Sequence, residues 1–138
     1  MTLALAPYDM FQQGDLSTMH ILAGRTDEAM RMVDKAIAGD PTNRAFYQQL
    51  RGWALCVAGR HQESIAALDE AIELPVVPLF QAINLVALGR EDEAKKQVEK
   101  ARALQKDVTI AKWVSANFYR DESVLEKQVA ALAAAGLP

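Results

Sequence analysis

The sequence predicts an all-α fold of antiparallel helix pairs, and three observations predict it. Alanine supplies 24 of the 138 residues while aromatics make up 7%. That balance suits helices in close contact, because alanine has the best helix propensity, whereas sheets favour β-branched and aromatic residues. Gly and Pro number 7 and 5, too few for a loop-rich or disordered chain. Thirteen residues also recur three times without a gap, at Gly24–Ala36, Gly59–Ala71 and Gly89–Ala101, as G-R-x-x-E-[A/S]-x-x-x-[V/L]-x-x-A. A chain of this length is expected to form one domain, residues 1–138.

The first helix is expected from Tyr8 to Ala23. Gly24-Arg25 then ends it, with Gly in the left-handed position after a helix C-terminus. The acidic residues that follow fall in the first turn of the next helix, where they meet the positive end of the dipole. Ala29, Val33 and Ala36 share one face of that helix at i, i+4 and i+7. Ser64, Leu68 and Ala71, and then Ala94, Val98 and Ala101, repeat the stripe, and the small residues mark where another helix lies close. Gly39-Asp-Pro41 breaks the chain before a helix from Asn43 to Ala58. Pro75-Val-Val-Pro78 breaks it before a shorter one from Pro78 to Leu88. The units are thus about 8–42, 43–77 and 78–106. Gly24 to Gly59 is 35 residues and Gly59 to Gly89 is 30, so five residues are lost between Ala71 and Gly89.

From residue 107 the motif stops. Thr109 is expected to cap a short helix carrying Ile110, Trp113 and Val114, and Phe118–Asp121 to connect it, with Asp121 as cap, to a last helix from Glu122 to Ala135. Val124, Leu125, Val129 and Leu132 face inward on that helix, and Gly136-Leu-Pro138 ends it. Repeat stacks need atypical end units to cover their last apolar face, so 107–138 is expected to be a capping pair.

The repeated unit resembles the tetratricopeptide repeat: two helices in about 34 residues with small residues at fixed stations. Gly52 and Ala82 stand seven residues before the turn glycine, where that family keeps a small residue, and Ser17 stands there in the first unit. Gln13 and Gln48 depart from the large residue that the family places near the start of the first helix. The resemblance covers about residues 8–106 and implies a right-handed α-solenoid of three such units plus a degenerate C-terminal pair. The tail is similar to the C-terminus of bacterial class III adenylate/guanylate cyclase-like proteins, through Tyr119-Arg120-Asp121 and Ala135-Gly136-Leu137-Pro138. Nothing matches the cyclase domain, which needs a sheet presenting two metal-binding Asp residues. This resemblance implies the regulatory or assembly region of such a signalling protein. A free-standing adaptor that binds an apolar peptide or helix is the alternative, and a small helical enzyme the remote one.

Fifteen Lys and Arg against eighteen Asp and Glu give a net charge of −3, with no field to attract a phosphate backbone, so nucleic acid is not an expected partner. One cysteine, Cys56, cannot form an internal disulfide and fits a reducing compartment. His20 and His61 lie too far apart in sequence for zinc-type spacing. The longest apolar stretch, Val129–Leu137, is too short to span a membrane, and Met1-Thr-Leu-Ala-Leu-Ala lacks the pattern of a signal peptide. A cytoplasmic protein with no metal, cofactor or catalytic residue is expected. Glu91-Asp92-Glu93 reads as a solvated helix start, His20 as packed, His61 as exposed, and Cys56 as a small buried hydrophobe.

The tetratricopeptide resemblance implies that first helices line a groove for a protein or peptide. Its candidate lining is Phe11, Gly14, Thr18 and Ile21, then Phe46, Gln49, Trp53 and Cys56, then Leu79, Ile83 and Val86. Half of these are expected to pack inside the stack. Trp53 stands out, because its indole N–H needs a partner. These helices contain no lysine, so the carboxylate clamp of chaperone-binding relatives is not expected. The expected occupant is an apolar peptide, a helix or a second copy of the domain.

Overall fold

The structure is a computed structural model that describes the backbone of residues 7–138 and the side chains from residue 13 onward. The described residues form eight α-helices and no strand: α1 (Pro7–Leu22), α2 (Thr26–Gly39), α3 (Arg44–Val57), α4 (His61–Asp69), α5 (Val76–Ala87), α6 (Glu91–Leu104), α7 (Ile110–Ala116) and α8 (Glu122–Ala134). A 3-10 turn, Pro41–Asn43, precedes α3. The expected all-α class holds.

Each Gly-Arg step makes the same turn. Gly24, Gly59 and Gly89 have φ of 82°, 78° and 76°, backbone that a Cβ would strain. The following arginine N–H reaches back to His20, Leu55 or Leu85 O at 2.8–2.9 Å, and the arginine carbonyl accepts the first bond of the next helix. Orphan carbonyls of one helix are satisfied in the step that starts the next. Arg60 and Arg90 also fork onto Glu63 and Glu93, which holds both carboxyls below the usual glutamate range, chiefly through that hydrogen bond. In the second and third units the repeated glutamate therefore has a partner three residues back, whereas Glu28 pairs forward with Arg31 and Arg25 donates to His20 Nδ1.

The small stations are where helices meet. Ala29, Ala36, Ala94 and Ala101 are wholly buried, with Val33, Leu68 and Val98 between them. Each pair packs on itself and on the next, and α1 meets α3 as α3 meets α5. A Cβ on Gly52 would fall 2.3 Å from Leu68 Cδ2, so this glycine sets the α3–α4 approach. Ser64 fills the station that alanine holds elsewhere for a specific reason. Its hydroxyl donates to Gly52 O at 2.6 Å and accepts from the wholly buried Asn84 at 2.8 Å. Without both bonds a polar group in that position would be costly.

The five missing residues come mainly from α4. The third first-helix starts at Val76, not Pro78, and Pro78 sits within its first turn, so α5 has 12 residues against 14 in α3. Helix α4 has only 9, against 14 in α2 and in α6. It ends at Asp69, so Ala71 is only half-buried and does not act as a close-contact station. The chain after it turns back instead, with Ile72 N–H bonded to Ala45 O at 2.9 Å.

The tail closes on itself. Thr109 and Asp121 cap α7 and α8 through their side chains as expected. Gly136, with φ of 91°, repeats the turn of the Gly-Arg steps: Leu137 N–H reaches Leu132 O at 3.0 Å. Ile110 N–H donates to Pro138 O at 2.7 Å, tying the start of α7 to the last residue. Helix α8 packs on α5 and on α7.

Candidate functional site

The candidate face runs along α3 and α5, and the tail lies across it. Trp53, half-buried on α3, stacks on Phe80 of α5 at 6.0 Å and 27°. Phe80 meets Trp113 of α7 edge-on at 5.1 Å. Trp53 also meets Tyr119 edge-on at 6.5 Å, and its indole N–H donates to the Tyr119 phenol oxygen at 2.8 Å. The partner that the Trp53 N–H needs is therefore in the same chain, 66 residues away. Gln128 of α8 donates to the same phenol oxygen at 2.9 Å and accepts from the Trp113 indole at 3.1 Å.

Tyr119 anchors the connection between α7 and α8. It is buried against Ile21, Ala29 and Ala54. The next residue donates its main-chain N–H, from Arg120 to Leu22 O at 2.8 Å, where α1 ends. Burial pushes the phenol up to about 12, although the two donors act the other way. Tyr119 therefore stays neutral at physiological pH and accepts both bonds. Neighbouring Phe118 is 75% exposed, so the segment turns one aromatic in and one out.

The expected lining residues divide between two cavities. Gln49, Trp53 and Leu79 line one of about 260 Å³, open to solvent and bordered by Val108, Lys112 and Trp113 of the tail. Cys56, Ile83 and Val86 line one of about 440 Å³, also open and bordered by Val124, Lys127 and Ala131 of α8. Cys56, Leu79 and Ile83 are buried, while Gln49 and Val86 are half-buried. Phe46 lies elsewhere: it packs on the cluster of Val33, Ala36, Tyr47 and Leu50, edge-on to Tyr47 at 5.5 Å. In the first pair, Ile21 meets the tail, whereas buried Gly14 faces Tyr47 and Leu50. Thr18 is half-buried and donates to Asp15 O at 2.7 Å. Phe11 falls outside the described side chains.

Two titratable side chains beside this face, Cys56 and His61, are enclosed or hydrogen-bonded. Burial pushes the Cys56 thiol up to about 12, so it remains protonated. His61, expected to be exposed, is half-buried, with Nδ1 2.8 Å from Asn84 Oδ1. Asn84 donates through its amide nitrogen to Ser64, so its oxygen accepts and His61 carries the proton on Nδ1. Among the described residues, no group of three His, Cys, Asp or Glu could hold a metal ion, and no helix is long and apolar enough to cross a membrane. The lysines at the two cavities, Lys112 and Lys127, both come from the tail, and Lys112 is paired with Asp107.

The chain matches no family model, no curated protein and no solved structure.

Sequence reasoning missed Tyr119 and Gln128 as members of this site. Gln128 had a signal. It sits between Leu125 and Leu132 at i+3 and i+7, a polar residue at an apolar station, which demands a buried partner. Asn84, within the apolar α5, carries the same signal. Nothing local could have assigned Tyr119 to Trp53.

Proposed function

We propose that this chain is a protein-interaction module, a right-handed α-solenoid of the tetratricopeptide type whose first helices receive a partner peptide or helix. One observation carries the proposal. The α1 and α3 part of that face already holds a connecting segment, Asn117–Asp121, through a buried tyrosine and a main-chain hydrogen bond to Leu22. Those are the means by which grooves hold peptides: an aromatic anchor for specificity and backbone bonds for alignment. The stacked Gly-Arg turns and buried alanine stations support the tetratricopeptide assignment. We assign the chain no reaction of its own.

The proposed setting is the regulatory or assembly region of a bacterial nucleotide-cyclase-like signalling protein, in the cytoplasm. Its support is that the residues carrying that resemblance fasten the tail. Tyr119 anchors it, Asp121 caps α8, and Gly136-Leu137-Pro138 tie its end to α7. The apparent mass of the native polypeptide separates this setting from a free-standing adaptor: several times 15.2 kDa favours the first.

A photo-crosslinking amino acid placed at Gln49, at Val86 and at Ala38 on α2 tests the proposal in the source cell. Discrete protein adducts from Gln49 and Val86, with none from Ala38, are expected. Adducts from Ala38 alone would move the binding surface to the second helices.

A further inference from the structure

The open pocket of about 440 Å³ between α3, α5 and α8 has a graded lining. Cys56, Ile83, Gln128 and Ala131 are buried and make its floor, whereas Gly59, Ala87, Lys127 and Ala130 are exposed and make its rim. Cys56, Ile83 and Ala131 belong to one continuous core that joins the three helices, so the pocket is built into the fold. Sites for small molecules are of this kind: concave, largely pre-formed and mostly apolar, with a few polar groups that orient the ligand.

The polar groups narrow the choice of ligand. At the floor, the Cys56 thiol stays protonated, and Gln128 gives its oxygen to Trp113 and an N–H to Tyr119. The floor therefore suits an apolar group. In a chain with more acids than bases, no Asp or Glu lines the pocket, and Lys127 is its one fixed charge. Among the described residues Lys127 makes no ion pair. Asp121 feels the lysine charge, but its carboxylate is taken by the Ser123 N–H and hydroxyl. His61 spends its Nδ1–H on Asn84. Its Nε2 accepts in the neutral ring and donates in the charged one, so it tolerates several head groups. Lys127 is the group that discriminates.

From the buried apolar floor and the cation at the rim, we infer that this pocket binds an aliphatic monocarboxylate. The chain lies against Ile83 and Ala131, and the carboxylate accepts from Lys127. A dry cavity of about 150 Å³ holds benzene, so there is room here for a chain of about ten carbons. Helix α8 supplies both Lys127 and the Ala131 wall, so the ligand binds with the tail in place. The inference goes beyond the peptide reading and does not depend on it.

Isothermal titration of the full chain with decanoate, below its micellar range, tests the site. One equivalent binds, at least tenfold more tightly than hexanoate, because each buried methylene favours the bound state. Decanoate binds at least threefold more tightly than decanol, and decylamine binds most weakly of the three. Lys127→Gln removes the preference for decanoate over decanol and leaves decanol unchanged. Ala87→Trp, which fills the rim, weakens both at least tenfold. No decanoate binding, equal affinity for the three head groups, or a preference that survives Lys127→Gln overturns the inference. Methyl NMR of the wild-type chain locates the ligand without a variant, and it decides if Ala87→Trp does not fold. Decanoate shifts the Ile83, Val86 and Ala131 methyls, whereas shifts centred on Leu79 and Val108, at the other pocket, overturn the inference. Crosslinks from Gln49 to a protein partner survive such a failure, so the two proposals fall separately.

Discussion

Between Gly24 and Ala101 the helices approach through residues without bulk, and most close-contact stations recur from unit to unit. Ala29 answers to Ala94, Ala36 to Ala101, and the turn at Gly24 to those at Gly59 and Gly89. Between Thr109 and Pro138 the contacts are unlike one another and long in sequence. Two indoles, a phenol and an amide form one hydrogen-bonded chain, Trp53–Tyr119–Gln128–Trp113, flanked by two cavities. The first region is built by periodicity and the second by particular partners. Periodic packing fills space because each station has had its neighbour's size fixed by the repeat. The tail has no such template, and two surface pockets follow its seam with α3 and α5, while the array has one of about 200 Å³ beside the shortened α4.

Phe80 belongs to both regions, since it stacks on Trp53 and meets Trp113. Phe80→Ala is expected to cost about 3–5 kcal/mol in urea unfolding and to melt array and tail together. A loss confined to the tail signals would break the comparison.

Alkaline pH separates the regions through two tyrosines. Burial pushes Tyr47 up to about 12, with Asp40 acting in the same direction, and burial pushes Tyr119 as far against the pull of its two donors. Both folded values lie above the unfolded value of about 10. Their contribution is therefore complete below pH 10 and lost as the pH rises toward 12. Tyr119→Phe removes the tail's share and leaves that of Tyr47, so the alkaline loss in a denaturation series is expected to shrink without vanishing. An unchanged loss would mean that Tyr119 is not buried as described.

Gly52→Ala strikes the array alone. The new methyl meets Leu68, itself buried, and overpacking is expected to cost roughly 1–3 kcal/mol. Urea unfolding of the variant against wild type measures that cost. The smallest effect is expected at the start of α7, where Thr109→Ala removes the cap on Lys112 N–H for about 1 kcal/mol. A larger cost would give α7 a structural weight that its few contacts do not suggest.

What was legible in the sequence follows the same division. The helix pairs, the three Gly-Arg turns, the buried stations and both tail caps are local or periodic, and a gap-free repeat displays them. The shortening was misplaced because a missing stretch between Ala71 and Gly89 has no address in a pattern. Only the turn of the chain at Ile72 onto Ala45 shows that α4 lost it. For the site, the need of the Trp53 N–H for a partner was readable from its chemistry. The identity of that partner was not, because no local rule links positions 53 and 119. His61 was misjudged for a related reason, since its partner Asn84 lies on the next pair.

The central claim is that the tail is held on the first-helix face through Trp53 and Tyr119. A double-mutant cycle with Trp53→Phe and Tyr119→Phe, read by urea unfolding, tests it most directly. A coupling of roughly 0.5–3 kcal/mol is expected, as for side chains in one hydrogen-bonded network. Additivity within about 0.5 kcal/mol, the behaviour of distant sites, would contradict it.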